Sequence, residues 1–190
     1  TTLAALQTWG PQHKLITVIG KTGTLQNGVL QGDLIVQGSA DPFFVWENAI
    51  QLGNQLNQLG IRQVTGNLIV VGRFYMNFES NPRTSGNLLK QGLDAQLWSS
   101  EVENQYATLP RGTARSQIVI RGTIQVMPNL PGQTQPLVNY PSLSLATILK
   151  KMNMYSNNAM AEMLASSVGG APAVKQKVMQ ATGIPSAEIQ

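Results

Sequence analysis

The first third of the chain combines short apolar runs with one longer stretch of helical spacing. Two similar segments, GDLIVQG at 32–38 and GNLIVVG at 66–72, each hold a continuous apolar run between glycines, which is typical of buried strands. Between them, apolar residues recur every three or four positions, namely Val45, Ala49, Leu52, Leu56 and Leu59. We predict a helix from Asp41-Pro42 to Gly60, a right-handed crossover, and parallel pairing of the two strands.

A tight hairpin is predicted around Asn27-Gly28, since these residues tolerate the positive φ angles of a two-residue turn. The tripeptide Lys21-Thr22-Gly23 would lie on its first strand. Residues 1–11 have the character of a helix end closed by Gly10. Because the chain opens inside this helical pattern, we interpret it as a fragment whose preceding segment is absent, and a missing signal peptide is uninformative.

The middle of the chain has weak periodicity. Residues 73–115 are punctuated by Pro, Gly and Asn, and we expect little regular structure there. Residues 116–126 alternate well enough for a strand, whereas residues 128–136 have the composition of a turn-rich linker. This region therefore contributes one predicted strand.

The last third changes to helical spacing. One stripe consists of Leu145, Ile148, Leu149 and Met152, and a second of Ala159, Met160, Met163 and Leu164. The polar tripeptide Ser156-Asn157-Asn158 separates them, and Gly169-Gly170 ends the second. We predict two helices joined at the tripeptide and a short third helix over residues 174–181.

Composition narrows the possible chemistry. The chain has 190 residues, 42% apolar and 12% charged, with a net charge of +4 and no cysteine. It is long enough for a real core, and disulfides and thiolate metal sites are excluded. The single histidine, His13, argues against a histidine metal cluster or a Ser-His-Asp triad, so we expect neither metal nor cofactor. The basic residues are scattered, which argues against nucleic-acid binding, and no apolar run approaches membrane-spanning length.

The helix junction carries the clearest chemical signal. Taken alone, Ser, Asn and Asn there are good helix N-caps. The whole segment 145–165, LATILKKMNMYSNNAMAEMLA, resembles the helix-loop-helix that carries the Ser-x-Asn motif in the low-molecular-mass penicillin-binding proteins of peptidase family S13. Residues 6–42 resemble the part of that family which follows the nucleophile's helix, with Trp9 in place of a leucine. Family members are D-alanyl-D-alanine carboxypeptidases that also act as endopeptidases.

The resemblance decides how Lys21-Thr22-Gly23 is interpreted. In penicillin-binding enzymes the motifs run Ser-x-x-Lys, Ser-x-Asn, then Lys-Thr-Gly, whereas here Lys21 precedes Ser156. We therefore interpret the tripeptide as a structural strand with a solvent-facing lysine. No serine in the chain is followed by lysine three residues later. The resemblance implies that the nucleophile motif falls just before Thr1 and the functional Lys-Thr-Gly motif beyond Gln190.

The resemblance implies an α+β protein made of two parts. Residues 13–136 would be a β-containing accessory domain, inserted between helical remnants, 1–12 and 137–190, of a catalytic domain of the penicillin-binding-protein (serine β-lactamase-like) type. Ser156 would belong to the proton-transfer network, Asn158 would hydrogen-bond the substrate's peptide group, and Asn157 would be the variable middle residue. The parent would cut peptidoglycan stem peptides in the periplasm or cell envelope and be inhibited by β-lactams.

Other interpretations stay open at this point. The chain is alternatively a non-catalytic envelope module that binds peptidoglycan or a partner protein. A third reading, a nucleic-acid binder that uses Arg111, Arg115 and Arg121, would require steeply salt-dependent affinity. The Glu101 and Glu103 carboxylates lack the surroundings of a glycosidase pair. Without the nucleophile's helix, the C-terminal helices should expose apolar faces, so we expect dimerisation or local disorder over residues 137–190.

Overall fold

A computed structural model of the chain describes residues 1–185 and Glu188, and its contacts divide the chain into two compact units. The helical unit comprises Thr1–Leu15 together with the chain from Ser142 onward, and the sheet unit comprises Ile16–Pro141. The protein is of mixed α+β class, as predicted.

Nine strands and seven α-helices lie within the described residues. The strands are β1 Ile16–Lys21, β2 Thr24–Gln26, β3 Val29–Gln31, β4 Leu34–Ser39, β5 Gln63–Val64, β6 Leu68–Arg73, β7 Val119–Ile120, β8 Ile124–Met127 and β9 Gln135–Pro141. The helices are α1 Thr2–Trp9, α2 Trp46–Gln58, α3 Pro82–Leu93, α4 Ser100–Ala107, α5 Leu145–Met154, α6 Asn158–Ser167 and α7 Gly170–Thr182.

The larger sheet of the sheet unit has the strand order β8-β6-β4-β1-β9. The two similar segments pair with each other in parallel, with Leu34 opposite Leu68 and Gly38 opposite Gly72. The predicted parallel pairing is therefore confirmed. β8 extends the array as a third parallel strand, because Leu68 is also opposite Ile124.

The smaller sheet has the order β2-β3-β5-β7, and β3, β5 and β7 lead through a glycine into β4, β6 and β8. These glycines stack closely: Gly66 N donates to Gly32 O at 2.9 Å, and Gly122 N to Gly66 O at 2.9 Å. A Cβ on Gly66 would lie 2.3 Å from Asp33 Oδ1 and 2.5 Å from Gly32 O. The three crossings from one sheet to the other therefore need glycine on steric grounds.

A polar ladder joins the residues that follow two of these glycines to the next strand. Asp33 Oδ1 accepts from Asn67 N at 2.7 Å, and Asn67 Oδ1 accepts from Thr123 N at 3.0 Å. These bonds satisfy backbone donors where the chain changes sheets.

The helix of the strand-helix-strand unit begins later than predicted. α2 starts at Trp46, and Asn48 Oδ1 accepts from Val45 N at 2.9 Å at its first turn. Asp41 instead forms a turn, where its Oδ1 accepts from Phe43 N at 2.9 Å. The predicted apolar face is right for Ala49, Leu52 and Leu56, which are buried, and wrong for Leu59, which is 47% exposed.

Residues 73–115 contain regular structure, contrary to the prediction. α3 is capped by Asn81 and has proline in its first turn. Its buried face includes small residues that permit close packing: a Cβ on Gly86 would lie 2.6 Å from Ile124 Cγ2, and one on Gly92 would lie 2.7 Å from Ala49 Cβ. A face of this kind gives little apolar periodicity, which explains the error.

Two other predictions for the middle of the chain are right only in part. Residues 116–126 divide between β7 and β8, which belong to different sheets. β9 pairs antiparallel with β1, so the predicted linker 128–136 ends in a strand, and residues 137–141, assigned to a helical part, are strand as well. Prolines 136 and 141 suit β9 because it is an edge strand.

The helical unit follows the predicted stripes closely. α5 buries Leu145, Ile148, Leu149 and Met152, and α6 buries Met160, Met163 and Leu164. α1 ends at Gly10 as predicted, and α7 covers the predicted third helix. Residues 142–182 are thus largely helical, while residues 186, 187, 189 and 190 of the predicted dimerising or disordered stretch lie outside the described residues.

Candidate functional site

A tight turn between α5 and α6 carries the two predicted site residues. Ser156 N donates to Asn153 O at 3.3 Å, and Asn157 N donates to Met152 O at 2.9 Å. Ser156 has a φ of 49°, in the left-handed region that few non-glycine residues occupy. Its side chain is exposed. The backbone of this turn is thus held in an uncommon conformation that presents a serine hydroxyl to the surface.

The three polar residues of the turn have different roles. Asn157 is the N-cap of α6, since its Oδ1 accepts from Met160 N at 3.0 Å. Asn158 is the first helical residue and is exposed. Within the described part of the chain, the side chains of Ser156 and Asn158 make no hydrogen bond. Capping therefore explains the middle residue and leaves the two flanking side chains available for another partner.

Asn158 lies in a small groove on the helical unit. The groove has a volume of about 210 Å³ and is lined by Thr1, Asn158, Ala161, Glu162 and Ala165. The α6 residues among these share one helix face by their spacing. Glu162 places a carboxylate one turn after the Asn158 amide, and the two alanines leave room beside them. Ser156 is not among the lining residues, so the structure brings only one of the two predicted residues into this groove.

Lys21-Thr22-Gly23 has structural roles in the sheet unit. Lys21 ends β1, and its Nζ donates to Gly23 O and to Gln135 Oε1, both at 2.8 Å. Thr22 N donates to Asp33 O at 3.0 Å. A Cβ on Gly23, which has a φ of 69°, would lie 1.9 Å from Gln31 O. The tripeptide thus connects β1 to β2, and its lysine is hydrogen-bonded rather than free in solvent.

The acidic pair of α4 is also structural. Glu101 Oε1 accepts from Trp46 Nε1 at 3.0 Å. Glu103 forms an ion pair with Arg115, whose guanidinium lies 4.8 Å from the centroid of the Trp98 ring. One of the three arginines of the nucleic-acid interpretation is therefore already paired, which weakens that interpretation.

Two classes of site are not found in the described part of the chain. Residues 1–185 and Glu188 contain no group of three or more His, Cys, Asp or Glu side chains placed to hold a metal ion. In the same residues, no helix has both the length and the apolar character needed to cross a membrane.

Asp41, predicted only as the start of a helix, is a buried carboxyl, 5% exposed. Burial raises its pKa from 3.8 to about 6, and the hydrogen bond from Phe43 N opposes this shift. The pKa of Tyr140 is also raised, first by burial and further by the charge of Asp41. Tyr140 Oη donates to Gln51 Oε1 at 2.9 Å and accepts from Asn48 Nδ2 at 3.3 Å. An Asp between apolar neighbours in GSADPFF is the signal that the sequence offered.

Comparison with known structures places the fold. The chain aligns over its whole length with the penicillin G-acylated Bd3459 predatory endopeptidase of Bdellovibrio bacteriovorus in complex with the immunity protein Bd3460, with TM-score 0.74 and 21% identity, covering 50% of that chain. The Bd0816 predatory endopeptidase of the same organism gives 0.73 and 23%, with coverages of 100% and 52%. Penicillin binding protein 4 of Haemophilus influenzae gives 0.62 and 18%, with coverages of 95% and 60%.

The TM-scores show a shared fold. The chain spans about half the length of the two Bdellovibrio endopeptidases. The sequence itself matches the model of the D-Ala-D-Ala carboxypeptidase 3 (S13) family over residues 1–75 and 85–186. The resemblance inferred from the α5–α6 turn and from residues 6–42 is thereby confirmed. The chain belongs to the D-Ala-D-Ala carboxypeptidase 3 (S13) family.

Proposed function

We propose that this chain is part of a serine-type D-Ala-D-Ala carboxypeptidase/endopeptidase that acts on peptidoglycan stem peptides through an acyl-enzyme. The observation that carries the proposal is the α5–α6 turn, where Asn157 caps the helix and the exposed side chains of Ser156 and Asn158 have no hydrogen-bond partner among the described residues. Family membership supplies the reaction class. The proposed location is the periplasm or cell envelope, and no cofactor is required.

The reaction needs three kinds of group. A serine activated by a lysine attacks the carbonyl carbon of the penultimate D-alanine, donors stabilise the oxyanion, and the C–N bond breaks as the leaving amine gains a proton. Water then hydrolyses the acyl-enzyme. Ser156 is proposed to relay the proton to the leaving amine. Asn158 is proposed to orient the substrate, with its amide N–H and C=O paired to a peptide group.

The nucleophile is proposed to lie outside residues 1–190. No serine in the chain has a lysine three positions on, and Lys21-Thr22-Gly23 is engaged in strand connections. The proposed catalytic part is the helical unit, Thr1–Leu15 with the chain from Ser142 onward, and the proposed accessory domain is the sheet unit, Ile16–Pro141. The 190-residue chain alone should be inactive, and β-lactams should inhibit the complete enzyme.

The chain is also proposed to self-associate when the rest of the catalytic domain is missing. Large apolar side chains exposed on the helical unit are Leu3, Leu143, Met154, Tyr155 and Ile184. Sedimentation of the 190-residue chain should show a concentration-dependent dimer. A monomer at every concentration would contradict this part of the proposal.

Variants of the complete gene product test the roles within the turn. Ser156→Ala and Asn158→Ala should each lower kcat/KM for D-alanine release by about 100-fold or more. Asn157→Asp is the matched control: it keeps an N-cap oxygen, and its kcat/KM should stay within about threefold of the parent value. Full activity of both Ala variants would exclude the proposed roles. An inactive parent that still binds peptidoglycan would favour the alternative of a non-catalytic envelope module.

A further inference from the structure

A second groove lies on the sheet unit, over the smaller sheet. Its volume is about 550 Å³, within the range of sites for small ligands. Its floor is one row across three parallel strands, because Val29 pairs with Gln63 and Gln63 pairs with Val119. The residues that follow each of them point to the opposite face and are buried, namely Leu30, Val64 and Ile120. The floor is therefore fixed by the hydrophobic core beneath it.

Four residues with amide side chains line this groove, and they come from separate segments of the chain. They are Asn27 in the hairpin turn, Gln63 on β5, Gln96 after α3 and Gln117 before β7. Within residues 1–185 and Glu188, none of these four side chains makes a hydrogen bond. Each offers two N–H donors and a carbonyl acceptor, the same groups that a peptide backbone needs as partners. The groove therefore suits a ligand rich in amide groups.

Among the described residues, one cation of the groove is left without a charged partner. Arg115 is paired with Glu103. Asp94 is 5% exposed, and its Oδ1 accepts a backbone N–H at 3.1 Å. Arg62 is exposed, and its side chain has no hydrogen bond or ion pair among the described residues. Its backbone is fixed, since Arg62 N donates to Gly28 O at 2.8 Å. A guanidinium carried at the groove by this fixed backbone is suited to bind a carboxylate through two parallel hydrogen bonds.

We propose that this groove binds a short peptide with a free carboxylate, in which Arg62 holds the carboxylate and the four amide side chains bond the peptide groups. The site belongs to the sheet unit, whereas Ser156 and Asn158 belong to the helical unit. It goes beyond the proposed function, since it gives the sheet unit a peptide-binding role without chemistry. A neutral sugar chain would leave the Arg62 charge unused.

The proposal is tested by ¹⁵N NMR of the complete 190-residue chain. The probes are N-acetyl-D-alanyl-D-alanine and its C-terminal amide, which differ only in the carboxylate. The acid should shift the side-chain N–H signals of Gln63, Gln96 and Gln117, and the amide should bind about tenfold more weakly or worse. Arg62→Ala should weaken binding of the acid by a similar factor. Arg121→Ala, which removes an exposed arginine outside the groove, should leave it unchanged.

Four results would overturn the proposal. The first is an absence of shifts at these glutamines up to about 20 mM probe. The second is equal affinity for the acid and the amide. The third is an Arg62→Ala chain that remains folded by its spectrum and binds the acid as tightly as the parent does. Shifts confined to the Asn158 turn would also overturn it, although they would support the proposed function. Conversely, if the complete enzyme is never acylated while the acid still shifts the glutamine signals, the proposed function fails and the peptide site on the sheet unit stands.

Discussion

Replacing Asp41 by Asn should remove a pH-dependent loss of stability from the sheet unit. The carboxyl is 5% exposed, and its burial raises its pKa from 3.8 to about 6. The difference of roughly 2 pKa units corresponds to about 3 kcal/mol between the two protonation states. Because the folded chain holds this proton more tightly than the unfolded chain, the stabilisation is complete below the unfolded pKa of 3.8 and is lost as the pH rises through about 6.

Urea denaturation of the parent and of Asp41→Asn at about pH 4 and about pH 7 measures this effect. An asparagine keeps the oxygen that accepts from Phe43 N, and it cannot ionise. The free energy of unfolding of the variant minus that of the parent should therefore increase by up to about 3 kcal/mol from about pH 4 to about pH 7. Using this difference cancels any constant packing change caused by the new amide. A difference that stays the same at both pH values, or that falls, would show that burial does not raise the pKa of Asp41.

Three further predictions concern single residues. Gly66→Ala should lower the free energy of unfolding of the sheet unit by about 1–3 kcal/mol or more through overpacking, as measured by urea denaturation. Gly132→Ala should leave it nearly unchanged, because no described atom lies within 4 Å of the new Cβ. Asn157→Ala should lower stability by about 1 kcal/mol through loss of the N-cap, whereas Asn158→Ala should change it by less than about 0.5 kcal/mol; equal losses on thermal unfolding would contradict the division of roles. Lys21→Met should leave penicillin acylation of the complete enzyme unchanged, and loss of acylation in a folded variant would return the lysine to the active site.

Much of the helical unit was predictable, because its helices bury large apolar residues at regular spacing. α5 buries all four residues of its predicted stripe, and α6 buries every residue of its stripe except Ala159. The parallel pairing of β4 with β6 was also visible in the sequence, as two similar glycine-bounded runs on either side of a helix. In these elements, one physical pattern decides the local structure, and few alternatives fit it.

The errors have a common physical origin in contacts between distant segments. The buried face of α3 includes Gly86 and Gly92, which allow close approach to Ile124 and Ala49. Because glycine has no apolar side chain, this face gives no hydrophobic pattern in the sequence. β9 is a strand because it pairs with β1, a partner more than a hundred residues earlier. Neither feature can be predicted from the local spacing of apolar residues.

The candidate site shows the same limit on a smaller scale. The sequence pointed to Ser156-Asn157-Asn158 as a unit, and any of the three residues is a good helix cap. Only the backbone determines that Asn157 accepts from Met160 N and that the other two side chains are unbonded. The groove of the sheet unit was not predicted, because its amide side chains come from segments up to 90 positions apart, between Asn27 and Gln117.

The central claim, a serine acyl-enzyme whose nucleophile lies outside residues 1–190, is tested most directly by intact mass after incubation with benzylpenicillin. The 190-residue chain and the product of the complete gene are treated in parallel. One penicillin should be added to the longer product and none to the 190-residue chain. Labelling of neither would contradict the catalytic assignment, and labelling of the 190-residue chain would contradict the assignment of the nucleophile.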